Sequence, residues 1–126
     1  MNKKLRVLIV DNAPEILAIL SELFQGEGFE VVTAVNGHDA LAKYDTHMER
    51  NAPFNLVSLD IVMPDIQGPE LAAQLRSHGY GGPMVAFSGF PSFTMKKKVV
   101  DNGVSAYFNK KVISPSLIKA IRERYC

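Results

Sequence analysis

The chain has 126 residues, a formal net charge of +1 and a single cysteine, Cys126, at its last position. That length suits one domain, residues 1–126, built on one core, and the near-zero charge supplies no global field for nucleic acid or an anionic membrane. Hydrophobic residues make up 47% of the chain, as in ordinary globular proteins, yet no run approaches the ~20 apolar residues of a membrane span. After Lys3, Lys4 and Arg6, the apolar run of Leu5 and Val7–Val10 is too short for the core of a signal peptide. One cysteine forms no internal disulfide, which suits a cytoplasmic protein, and Cys126 is expected to be an exposed, unused thiol.

Leu5–Val10 is an apolar, β-branched run and predicts a central strand that ends on Asp11-Asn12. Pro14 then takes a first helical position, and the Asn12-x-x-Glu15 spacing predicts that Asn12 caps the helix. Ile16, Ile19, Leu20 and Leu23 follow at helical spacing until Gly26 and Gly28. Phe29–Ala34 predicts a second strand, and Asn36 a cap for a helix carrying Ala40, Leu41 and Tyr44. Leu56–Leu59 is a short apolar run that ends on Asp60, passes through Met63-Pro64-Asp65 and reaches Gly68. It reads as a buried strand of a parallel sheet. Pro69–Ser77 predicts a third helix, His78–Gly82 a loop, and Pro83–Phe87 a fourth strand ending at Ser88-Gly89. Pro91 is expected to open a fourth helix closing near Asn102-Gly103. Ser105–Phe108 predicts a fifth strand that ends at Asn109-Lys110-Lys111, and Ser114 caps a last helix with Pro115 at its first position.

Strands that alternate with helices imply a doubly wound parallel sheet with helices on both faces. The residues after each strand then share one edge, the edge where such sheets bind ligands. Asp11 and Asn12, Asp60, Ser88 and Lys110 converge there. A carboxylate at that edge is a candidate nucleophile, a metal ligand or both; alternatively it caps a loop. Carboxylates with water and a backbone carbonyl suit Mg²⁺. A lysine and a hydroxyl beside the ion would hold phosphoryl oxygens. The set reads as an aspartyl-phosphate site.

These residues resemble the receiver domain of two-component response regulators over essentially the whole chain. The resemblance rests on Val7–Asp11, on the Asp-x-x-Met-Pro-x-x-x-Gly run from Asp60 to Gly68, on Val85–Gly89 and on Ala106–Lys110. It implies a flavodoxin-like (βα)5 sheet of strand order 2-1-3-4-5. It implies that Asp60 accepts a phosphoryl group from a histidine kinase or a histidine phosphotransfer protein. Asp11 and Asp60 would hold Mg²⁺ with the Val62 carbonyl, and Asn12 would be a weak ligand where the family usually has an acid. Ser88 and Lys110 would bind phosphoryl oxygens, and Tyr107 would turn inward when Ser88 moves. Val62 and Phe90 occupy positions that influence the attacking water in this family, so decay of the phosphorylated form is expected to be slow. The domain would be a signalling switch rather than an enzyme, addressing an unknown downstream protein, with no nucleic acid and no membrane as partner. No output domain follows the last helix, so the expectation is a stand-alone receiver or an excised one.

Two positions depart from the family pattern. Asn12 weakens the metal site, and Lys111 stands where the family usually has proline. A cis bond before a non-proline residue costs ~3 kcal/mol, so a trans bond is expected there. Asn12 also motivates an alternative: a receiver-like adaptor that binds partners without phosphorylation. Lys96-Lys97-Lys98 reads as a solvated helix face, and His38, His47 and His78 lack metal-ligand spacing. No Gly-x-Gly-x-x-Gly follows a strand, no Gly-Lys-Ser/Thr loop is present, and Val62 breaks an Asp-x-Asp phosphatase motif.

Overall fold

The computed structural model describes residues 4–126, so Lys3 of the amino-terminal basic group lies outside it. Five strands alternate with five helices: β1 Leu5–Val10, α1 Pro14–Gly26, β2 Phe29–Ala34, α2 Gly37–Glu49, β3 Leu56–Asp60, α3 Gly68–Ser77, β4 Met84–Ser88, α4 Phe93–Asp101, β5 Ala106–Asn109 and α5 Pro115–Tyr125. The strands form one parallel sheet in the order β2-β1-β3-β4-β5.

Successive side chains of a strand point to opposite faces, and this alternation divides the core in two. Leu8, Val10, Val57, Leu59, Met84 and Ala86 meet Ala40, Leu41 and Tyr44 of α2, Leu71, Ala72 and Leu75 of α3, and Val99 of α4. Val7, Ile9, Leu56, Val85 and Phe87 meet Leu20 and Phe24 of α1 and Ile118 and Ile121 of α5. β3 and β4 are buried at every residue, whereas the outer strands β2 and β5 are partly open. Their apolar runs therefore reflect helices packed on both sides.

The helix starts follow local chemistry, with two corrections to the sequence reading. The side chains of Asn36 and Ser114 accept hydrogen bonds from the Asp39 and Leu117 N–H groups, as expected of caps. Asn12 does not cap α1: the capping position is Ala13, and Asp11 Oδ1 accepts the Ala13 N–H at 2.9 Å. With Pro14 fixed at the start of the helix, the preceding turn is closed by Asp11, one residue earlier than expected. α4 begins at Phe93, not at Pro91, because the Ser92 hydroxyl accepts the Met95 N–H at 3.1 Å and so defines the first turn. No cis peptide bond occurs among the described residues, so the Lys110–Lys111 bond is trans as expected.

The chain runs from β1 outward to β2, then crosses back to place β3 on the other side of β1. At this reversal the connections leave β1 and β3 in opposite directions and open a crevice at the carboxyl edge. Val10 pairs with Leu59 and Asp60 with Phe87. This register carries Asp11, Asp60 and Ser88 to adjacent strand ends.

Candidate phosphorylation site

The carboxyl edge brings the expected residues into one cleft. Asn12, Asp60, Val62, Ser88, Phe90 and Lys110 line a cavity of about 370 Å³, together with Ile61, Gly89, Ser92 and Met95. Asp11, Asp60 and Ser88 are buried. The Lys110 ammonium lies 2.9 Å from Asp11 Oδ2 and 3.2 Å from Asp60 Oδ1, with its own side chain only 19% exposed. Two buried acids thus share one cation. Burial is costly for a charge without a partner, and the bridging ammonium offsets part of that cost.

The electrostatics are unequal. Burial, and then the nearby Asp11 charge, push the Asp60 carboxyl above the ordinary carboxylate value, while Lys110 and the Val62 backbone N–H pull the other way. Burial alone would lower the Lys110 ammonium, but its bonds to Asp11 and Asp60 and their charges outweigh burial and raise it. Lys110 is therefore a fixed cation at neutral pH.

The loop after β3 is shaped by close backbone approach. A Cβ at Gly68 would lie 2.9 Å from Ile61 Cα and 3.0 Å from the Asp60 carbonyl oxygen. The Gly68 N–H donates to the Ile61 carbonyl at 2.8 Å, closing the loop on itself. Hence the glycine of the Asp60–Gly68 motif: any side chain there would push α3 away from the strand end. Val62 and Phe90, at 64% and 95% exposure, stand on the rim of the cleft.

Ser88 does line the cleft, and its hydroxyl accepts the Phe90 N–H at 3.1 Å. It therefore also serves as a turn hydroxyl in this conformation. Tyr107 is half-buried against the α2–α4 face of the core, and its hydroxyl accepts the Ser92 N–H at 3.4 Å, a long bond. The ring thus touches the loop that carries Ser88 toward α4.

The donor set fits a hard divalent cation. Asp11, Asp60, the Asn12 amide and the Val62 carbonyl present only oxygen ligands. The bridging ammonium shows that the pair of buried acids accepts positive charge. Among the described residues, no three His, Cys, Asp or Glu side chains gather as a metal cluster. Two acids and a neutral amide make a weaker site than three acids would.

The histidines lie elsewhere. His38 pairs with Asp65, His78 pairs with Asp45, and the His47 ring faces the Lys43 carbonyl. Lys96, Lys97 and Lys98 are exposed, with Lys97 paired to Asp101, as for a solvated helix face. Sequence reasoning did not anticipate Ser92 and Met95 in the cleft, because it started α4 too early. Nor did it anticipate the link from Asp65 to α2, whose partners are remote in sequence and give no local signal.

The doubly wound parallel sheet thus gathers a buried acid pair and a lysine at its carboxyl edge. The chain belongs to the response regulator receiver domain family, whose model matches residues 7–122. It is 29% identical over 120 residues to the alkaline phosphatase synthesis transcriptional regulatory protein PhoP of Bacillus subtilis, covering 95% of this chain and 47% of that protein. The structure of a CheY-like receiver domain protein from Methanospirillum hungatei superposes with a TM-score of 0.84 at 30% identity, covering 97% of this chain and 94% of the other. That of chemotaxis protein CheY4 of Vibrio cholerae gives 0.86 at 25% identity, covering 98% and 100%. The chain spans about half the length, or less, of the curated relatives it matches first. It is a receiver of two-component signalling, and the adaptor reading is not favoured. No helix among the described residues is long and apolar enough to cross a membrane.

Proposed function

We propose that Asp60 is the phosphoacceptor of this receiver. The observation that carries the reading is the Lys110 ammonium held between Asp60 and Asp11 at the floor of the cleft. An oxygen of the Asp60 carboxylate attacks the phosphorus of a phosphohistidine donor. The P–N bond breaks, the imidazole leaves and takes up a proton, and Asp60 becomes an acyl phosphate. Lys110 and the Ser88 hydroxyl receive the phosphoryl oxygens. Asp11, Asp60, the Val62 carbonyl and, weakly, Asn12 would hold Mg²⁺, which would neutralise charge on those oxygens. For Ser88 the new contact replaces its bond to Phe90, and Tyr107 follows the freed loop inward. The donor is a histidine kinase or a histidine phosphotransfer protein, and the setting is cytoplasmic. The receiver passes its signal to a downstream protein that reads the altered loop.

Incubation with acetyl phosphate and Mg²⁺, followed by intact mass, tests the reading. The parent is expected to gain one phosphoryl group and Asp60→Asn none. A phosphoryl gain in Asp60→Asn would overturn the assignment. Decay in the same samples after removal of the donor is expected to be slow, because neither Val62 nor Phe90 can hydrogen-bond an attacking water. Val62→Asn with Phe90→Glu is expected to decay several-fold faster; equal or slower decay would count against that role.

A further inference from the structure

The segment from Ile61 to Gly68 carries the Val62 carbonyl and must hold its shape beside Asp60. Its ends are tied: the Ile61 N–H donates to Phe87 of β4 at 3.2 Å, and Gly68 closes back on Ile61. Its middle is hydrogen-bonded to α2 by one side chain. Asp65 Oδ1 accepts the Gly37 N–H at 3.0 Å, and Oδ2 accepts the His38 N–H at 2.8 Å. These are the first N–H groups of α2, which have no partner inside the helix. The His38 ring adds a contact of 2.6 Å from Nδ1 to the same Oδ2. Ile66 then packs so closely on the helix start that a Cβ at Gly37 would lie 2.6 Å from its Cβ. Although burial opposes it, the backbone N–H groups of His38, Gly37 and Ile66 and the His38 ring hold the Asp65 carboxyl well below the usual range. It is therefore a permanent anion at the positive end of a helix dipole.

We propose that Asp65 is a positioning residue for the phosphorylation site: by bridging the first N–H groups of α2 it pins the loop after β3, and with it the Val62 carbonyl, relative to Asp60. The inference rests on the site reading given above. Without the bridge, two helix N–H groups lose their partner and the loop is held only at its ends and by the burial of Met63 and Ile66. The carbonyl of Val62, itself on the exposed crest, then samples more orientations. Metal affinity falls, while Asp60 and Lys110 keep their places on the strands.

The test compares isotope-labelled Asp65→Ala, Asp65→Asn and Asp45→Ala with the parent. Asp45→Ala removes the 2.9 Å contact to His78 at the far part of α2 and controls for loosening that helix. In the metal-free protein, Asp65→Ala is expected to expose the Gly37 and His38 amides to hydrogen exchange and to broaden the resonances of Val62 and Met63. In a Mg²⁺ titration its half-saturation is expected to rise about tenfold, the loss typical of a missing supporting contact. Asp65→Asn keeps one acceptor oxygen and falls between, while Asp45→Ala matches the parent. Equal half-saturation in Asp65→Ala and the parent would overturn the proposal, as would an equal rise in Asp45→Ala. If the parent itself binds no Mg²⁺, the site reading fails, and the metal-free spectra decide: unchanged Val62 and Met63 resonances in Asp65→Ala overturn the positioning role.

Discussion

Asp60 lies at the end of β3 among buried groups, with the like charge of Asp11 nearby and Lys110 to balance both, whereas Asp65, on the loop that follows, faces the open N–H groups of α2. The carboxyl of Asp60 is pushed up, first by burial and then by Asp11. That of Asp65 is held down, because backbone donors outweigh the effect of burial. The first acid is left short of favourable partners and gains from any incoming positive charge. The second is satisfied by the protein itself. The difference separates a reactive carboxylate from a structural one more sharply than exposure does, since the side chain of Asp65 is only 20% exposed.

The strongest way to break the comparison is to remove the cation. Lys110→Met keeps the length of the side chain and leaves two buried acids facing each other. Removing one partner of a buried charge pair costs about 3 kcal/mol or more, so urea unfolding of metal-free protein at neutral pH is expected to show a loss near that size. Millimolar Mg²⁺ is expected to restore part of it, because the ion returns positive charge to the acids. A loss well under 1 kcal/mol, insensitive to Mg²⁺, would show that the acids do not depend on Lys110.

A smaller change sharpens the same contrast from the other side. Asn12 stands exposed on the rim of the cleft and does not cap α1. Asn12→Asp adds a third acid near Asp11 and Asp60 without removing a structural bond. Unit charges ~4 Å apart interact by roughly 4 kcal/mol at an effective dielectric of 20, before desolvation is subtracted. Half-saturation with Mg²⁺ is therefore expected at about tenfold lower concentration, a gain of ~1.4 kcal/mol. The metal-free variant is expected to melt slightly below the parent, through added repulsion. Equal Mg²⁺ affinities, followed by NMR shifts near Asp60, would show that position 12 does not face the metal.

Much of this edge was legible in the sequence. Strand ends are marked where an apolar run stops on a polar residue, and a parallel sheet brings all such ends together. Asp11, Asp60 and Ser88 follow from that rule, which at the fifth strand points to Asn109-Lys110-Lys111, and the family resemblance singles out Lys110 among these. The strand order came with the family resemblance, since the alternation of strands and helices leaves more than one order open. What failed was local: Asn12 and Pro91 each carry a good helix-start signal, but the actual start depends on which neighbour reaches the first N–H groups. Ser92 reaches that of Met95, whereas Asp11 reaches only the Ala13 N–H just ahead of α1. The Asp65 bridge was out of reach for another reason. It joins segments 27 and 28 residues apart, and no periodicity encodes that contact.

The smallest expected effect tests the comparison by its sign. With a raised value in the folded state, Asp60 binds a proton more readily there than in the unfolded chain. Stability therefore falls as pH climbs from the ordinary carboxylate range through the raised folded value, and is level above it. Asparagine does not ionise, and Asp11 keeps its bond to Lys110 in its presence. Metal-free Asp60→Asn is expected to melt above the parent at neutral pH by roughly 4 °C, the shift that ~1 kcal/mol produces in a domain of this size. The gain closes as pH drops below the ordinary carboxylate value, where Asp60 is protonated in both states. Asp65 behaves oppositely. Its folded value is lowered, so its contribution is complete above the unfolded value and is lost as pH falls through the folded one. Asp65→Asn is then expected to melt below the parent at neutral pH, with a deficit that shrinks in acid. Thermal melts of the two variants from neutral to acidic pH give curves of opposite sign if one acid is poised and the other satisfied. Curves of the same sign would show that both carboxylates are structural, and the distinction drawn between them would fall.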